Sequence, residues 1–212
     1  MNQFNSAWNF YFNNWQYFAV LAAPVFAVEI ATAYLLLPLE NISPENIAEY
    51  FGDNIFSIGI LSAVGTVLSV GFLGSLYLSF NAKSSSSELE PVTALLSGVY
   101  KFFPLFGAYV LCIIAVFFGL LLLILPGIYL GARLALFPAF IMLEGKGVID
   151  SLKLSWEETD EHGGTLFGLT IFFILLTTII SGIFSSLLDQ GIIQLLILGI
   201  VEYVIIIPWV YV

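Results

Sequence analysis

The chain has 212 residues, of which 60% are hydrophobic and only 9% charged, too few charges to cover the surface of a soluble domain of this size. Its formal charge of −10 leaves no basic patch for nucleic acid and no polybasic cluster for anionic lipid. The single cysteine, Cys112, excludes an internal disulfide and a thiolate metal site, and is assigned to a packed helix face.

In chain order, six apolar runs reach the length that crosses a hydrocarbon core of about 30 Å. They are Gln16 to Leu37, Ile55 to Phe80, Phe103 to Leu125, Ile128 to Leu143, Thr165 to Leu188 and Gly191 to Val212. The runs are continuous rather than alternating, so they predict helices and not barrel strands. The N-terminus has no Lys or Arg ahead of the first run, so no signal peptide is expected. Pro126 and Gly127 are expected to reverse the chain between spans three and four, proline lacking an N–H and glycine tolerating a left-handed turn.

A short segment of helical spacing precedes spans one, three and five. Phe4, Trp8, Tyr11, Phe12 and Trp15 share one face in the first. Val92, Leu95, Leu96, Val99 and Phe103 do so in the second, and Val148, Ile149, Leu152 and Trp156 in the third. These patterns predict an all-α membrane protein, a single integral membrane domain over 1–212. It reads as three units, each an interfacial amphipathic helix followed by a helical hairpin, at about 1–80, 91–143 and 146–212. Residues 81–90, with the serines from Ser84 to Ser87, are expected to form a linker. Lys83 and Lys101 fall between spans two and three, and Lys146 and Lys153 between spans four and five. The positive-inside rule puts these loops, and with six spans both termini, in the cytoplasm.

Three ionisable residues fall inside spans, where each is costly and asks for a reason: Glu29, Arg133 and Glu202. Arg133 lies ~9 Å beyond the turn before span four, and Glu29 ~12 Å below the outer end of span one. The similar depths predict that these two pair, with Glu202 deeper. The set reads as a polar site for a charged headgroup or a proton relay, or as an ion pair that fixes helix register. Glycines at 59, 65, 71 and 74 read as a close-packing stripe in span two. The acidic run from Glu157 to Glu161 with His162 reads as a solvated helix end before it reads as a cation site. No phosphate-cradling loop, zinc-protease motif or nucleophile elbow is present. No cofactor, no metal and no enzymatic activity are therefore expected.

From Pro126 to Thr159 the chain reads Pro-Gly-Ile-Tyr-Leu, then Arg133, Pro138, Glu144, Gly147, Ser151, Ser155, Trp156 and Thr159. This resembles the YciC-like bacterial inner-membrane proteins and the related membrane domain fused to some glycerophosphoryl diester phosphodiesterases. The resemblance implies a multi-pass protein of the cell (inner) membrane and carries over Pro126, Gly127, Arg133, Glu144, Ser155 and Trp156 as motif positions of unassigned role. It also implies proximity to lipid metabolism, without the phosphodiesterase chemistry, since no soluble domain accompanies these helices. The sequence thus points to a membrane protein that binds or moves a lipid or small amphiphile. The rival is a non-catalytic structural or assembly factor of the cell envelope. Membrane lipids are the expected partners, and no protein partner is indicated.

Overall fold

The computed structural model describes residues 2–85, 87–189 and 191–211, which form ten α-helices and no strand. Ser86, in the expected linker, and Val212, at the end of the expected sixth span, lie outside the described residues. The helices are α1 (Asn2–Asn13), α2 (Trp15–Leu36), α3 (Ile47–Ser84), α4 (Pro91–Tyr100) and α5 (Phe102–Leu122). They continue with α6 (Ile124–Leu134), α7 (Phe137–Leu143), α8 (Val148–Glu158), α9 (Gly163–Leu187) and α10 (Ile192–Tyr211). Six stretches are long and apolar enough to cross a membrane: α2, α3, α5, α6 with α7, α9 and α10. The protein is a multi-pass α-helical membrane protein.

Several boundaries differ from the sequence reading, each for a local reason. Helix α3 has 38 residues, a length of ~57 Å, and it absorbs the first residues of the expected linker. The reversal between α5 and α6 falls on Leu123, whose backbone is extended (φ −163°, ψ 150°), three residues ahead of Pro126. Pro126 and Gly127 then lie in the first turn of α6, where a missing N–H costs no helical bond. The expected fourth span is not continuous. Pro138 cannot donate to the carbonyl of residue 134 and its ring crowds that carbonyl, so α6 ends at Leu134 and α7 restarts at Phe137.

Antiparallel pairs α2–α3, α5–α6 and α9–α10 are each preceded by a short helix. The pairs touch in a closed order: α3 meets α5 and α7, α6 meets α9, and α10 meets α2. Each short helix packs on the helix that precedes it around this ring: α4 on α3, α8 on α7, and α1 on α10. The stripe each buries is mostly small: Ala7 in α1, Ala94 and Gly98 beside Leu95 in α4, Ser151 and Ser155 in α8. Half of the large apolar residues from which these helices are expected face outward instead, among them Val92, Leu96, Phe103 and Ile149. Small residues win the contact because lipid tails solvate large apolar side chains as well as protein does, whereas close backbone approach adds dispersion contacts that lipid cannot match.

The main core joins Phe18, Leu21 and Val25 of α2 to Phe72, Leu76 and Phe80 of α3, Leu95 of α4 and Ile207 of α10. A second core joins Leu105 and Ala108 of α5 to Phe137 and Ile141 of α7. Both gather near the ends that carry the short helices. Toward the other end, apolar side chains such as Phe56, Ile60, Ile179 and Leu187 face outward, as lipid-facing positions do.

Candidate functional site

Breaking α6 from α7 frees backbone groups in mid-bundle, and side chains from other helices take them up. The Ser155 hydroxyl donates to the Arg133 carbonyl (2.9 Å) and accepts from the Leu136 N–H (3.1 Å). The Tyr77 hydroxyl donates to the Ala135 carbonyl (3.0 Å). Ser155 is fully buried, so Ser155→Ala strands the Leu136 N–H, while the Arg133 carbonyl keeps the Thr159 hydroxyl at 3.1 Å. We expect a loss of about 2 kcal/mol, read as a lower melting temperature in detergent.

Arg133 is the last-turn residue of α6 and its side chain is 3% exposed. Nε donates to Thr159 Oγ1 (2.9 Å), Nη1 to the Tyr129 hydroxyl (2.8 Å), and Nη2 to both the Trp156 carbonyl (2.5 Å) and Asp160 Oδ1 (2.9 Å). Four of the five N–H groups of a guanidinium are thus directed at protein acceptors. The Trp156 ring covers the guanidinium, 4.1 Å from Cζ to the ring centroid, a cation–π contact. Gly163, opening α9, closes the other side: a Cβ there would lie 2.9 Å from Arg133 Cδ and from the Tyr129 hydroxyl.

The expected Glu29–Arg133 pair is not formed. Arg133 points from α6 into the α8–α9 connection, and its carboxylate is Asp160, in the run expected to form a solvated helix end. Glu29 instead accepts from the Tyr203 hydroxyl of α10 (2.6 Å) and from Ser69 of α3 (3.4 Å). Glu202, next to Tyr203, is close enough to interact electrostatically with Glu29 and lines a cavity of about 280 Å³ between α9 and α10. The three ionisable residues chosen from sequence therefore sit in two places, with Arg133 apart from the two acids.

The motif positions resolve in the same way. Ser155 and Trp156 hold the helix break and the guanidinium. Gly127 lets α5 and α6 approach, since a Cβ on it would lie 2.7 Å from the Leu120 backbone nitrogen. Glu144 faces outward and pairs with Lys146 at 3.6 Å across the turn made by Gly145, whose φ of +67° suits glycine. Among the described residues no group of three or more His, Cys, Asp or Glu is arranged to hold a metal.

A crevice of about 700 Å³ lies between α1, α9 and α10, walled by Phe172, Leu176, Ile180, Ile200, Val201 and Val204 and bordered on α1 by Asn5, Trp8 and Asn9. The Trp8 indole Nε1 is buried and meets no acceptor within the described residues. The clue available was only the Asn and Trp spacing of α1.

Residues 46–208 match the family described as a domain of unknown function (DUF7847). The chain belongs to this family. It is also similar to the UPF0259 membrane protein plu2479 of Photorhabdus laumondii subsp. laumondii, 35% identical over 96 residues, which cover 45% of this chain and 36% of that relative. The match thus spans about a third of the relative's length. No solved structure matches. The expectation of an uncharacterised bacterial membrane-protein family holds at that level.

Proposed function

We propose that this protein binds a lipid or small amphiphile in the crevice between α1, α9 and α10. The carrying observation is the crevice itself: its volume falls within the roughly 300–1,000 Å³ of small-molecule sites, and its apolar walls end at the polar edge of α1. Acyl chains fill the space between α9 and α10, and an acceptor-bearing headgroup meets Asn5 and Asn9. No lysine or arginine lines the crevice, so recognition rests on hydrogen bonds rather than on charge pairing. Arg133 is outside this site. Four of its N–H groups are used by the protein, which makes it a structural residue. The role is binding rather than catalysis. The resemblance to membrane domains fused to phosphodiesterases points to the same ligand class. The lysines at 83, 101, 146 and 153 support a cell-membrane orientation with both termini cytoplasmic.

Val201→Trp places an indole in the crevice. Native mass spectrometry of the detergent-purified protein is expected to show a defined lipid on the wild type and about tenfold lower occupancy on the variant at unchanged melting temperature. Equal retention by the variant would reject the crevice. Bulk lipid alone on both would favour the envelope assembly factor, and crosslinking would then identify its protein partners.

A further inference from the structure

The three long pairs turn in different chemistry. The α2–α3 turn carries Asn41, Ser43 and Glu45, and the α9–α10 turn carries Asp189, followed by Gln194 donating to the Ser185 and Leu188 carbonyls. The α5–α6 turn carries nothing of the kind. From Ile113 to Ile128 no side chain has a polar atom. Yet Leu121, Leu122, Leu123, Ile124 and Leu125 are 60–78% exposed. A tip that reached water would present this patch to it.

The backbone at the tip is equally spare. Leu123 alone joins the two helices, and its N–H donates to the Gly119 carbonyl (3.1 Å). The third residue of α6 is Pro126, which removes one of the donors that a helix start leaves open. So short a link is allowed by Gly119, where a Cβ would lie 2.7 Å from Gly127 Cα. A turn with few unpaired backbone groups is what hydrocarbon demands.

Position along the neighbouring helix agrees. Arg133 lies against Gly163, and the rings of Tyr129 and Phe167 are 6.0 Å apart, so α6 runs antiparallel beside α9. On that register the start of α6 stands beside residue 172, and α9 continues to Leu187, ~22 Å further.

We propose that α5–α6 is a re-entrant hairpin: it enters and leaves on the face that carries Lys101 and Lys146, and its tip at Leu122, Leu123 and Ile124 ends in lipid hydrocarbon. Helix α5 is itself ~31 Å long, so the proposal requires the hairpin to lie oblique to the membrane normal. The parity of crossings is unchanged, and four of the six apolar stretches cross completely.

The test places single cysteines at Leu122, Ser43 and Asp189 in a Cys112→Ala background. Each is spin-labelled and the protein is reconstituted in phosphatidylcholine vesicles. The label at 122 is expected to collide with oxygen but not with a water-soluble nickel chelate, and to lie about 10 Å or more deeper than those at 43 and 189. Nickel access at 122 equal to that at 189 overturns the proposal by placing the tip in water. Exclusion of both reagents at 122 also overturns it, by placing the tip against protein. Should Leu122→Cys fail to fold, Leu125→Cys gives the same reading.

Discussion

Arg133→Ala is expected to lower the melting temperature in detergent by about 10 °C, a loss of about 3 kcal/mol, while leaving lipid retention in the folded fraction unchanged. The loss has a definite source. Truncation takes the donors from the buried Thr159 hydroxyl and the Trp156 carbonyl and leaves a void between Trp156, Tyr129 and Gly163. Asp160 contributes little of it, because its side chain is 76% exposed and water replaces the guanidinium there. Asp160→Asn should therefore cost less than about 1 kcal/mol. Arg133→Lys should recover less than half of the alanine loss. An ammonium is a point donor and cannot address Thr159, Tyr129, Trp156 and Asp160 from one plane, nor stack as well beneath an indole. If Arg133→Ala instead loses bound lipid at full thermal stability, Arg133 is a ligand group and the structural assignment is wrong.

The same residue shows how far the sequence could be read. That Arg133 needs a partner follows from desolvation alone, and the sequence reading reached that point. Which partner it takes does not follow, because Glu29 and Asp160 are equally acidic and only the packing of α6 on α8 and α9 decides between them. Depth along the spans misled, since the Arg133 side chain reaches into the α8–α9 connection, where Thr159 and Asp160 meet it. Pro138 announces that break locally. Ser155 as its remedy is a contact across 19 residues, which no local pattern encodes. Helix content and the six apolar stretches were legible because length and hydropathy fix them without reference to neighbours. The crevice was not, because it is a space between α1 and two helices more than 150 residues away in sequence.

Gly98→Ala is expected to be the more damaging of two substitutions at one helix crossing, at about 3 kcal/mol or more, with Gly71→Ala somewhat milder. A Cβ on Gly98 would lie 1.9 Å from the Gly71 carbonyl oxygen and 2.7 Å from its carbon, both main-chain atoms of α3. No rotamer change relieves that overlap, so α4 must move off α3. The contacts of Ala94 and Leu95 with Phe72, Leu76 and Phe80 then loosen together. A Cβ on Gly71 meets Val99 Cγ2 at 2.8 Å and the Val99 nitrogen at 2.9 Å, so part of the clash is with a side chain. Val99→Ala should accordingly rescue part of Gly71→Ala and none of Gly98→Ala. The sign should reverse at Gly59, in the same helix but with nothing within 4 Å of its Cβ position. Gly59→Ala restricts the unfolded chain without a clash and should stabilise by roughly 0.5–1 kcal/mol. Melting temperatures of the three variants in one detergent decide the matter: equal shifts at 98 and 59 would mean that α4 does not cross α3 at these glycines.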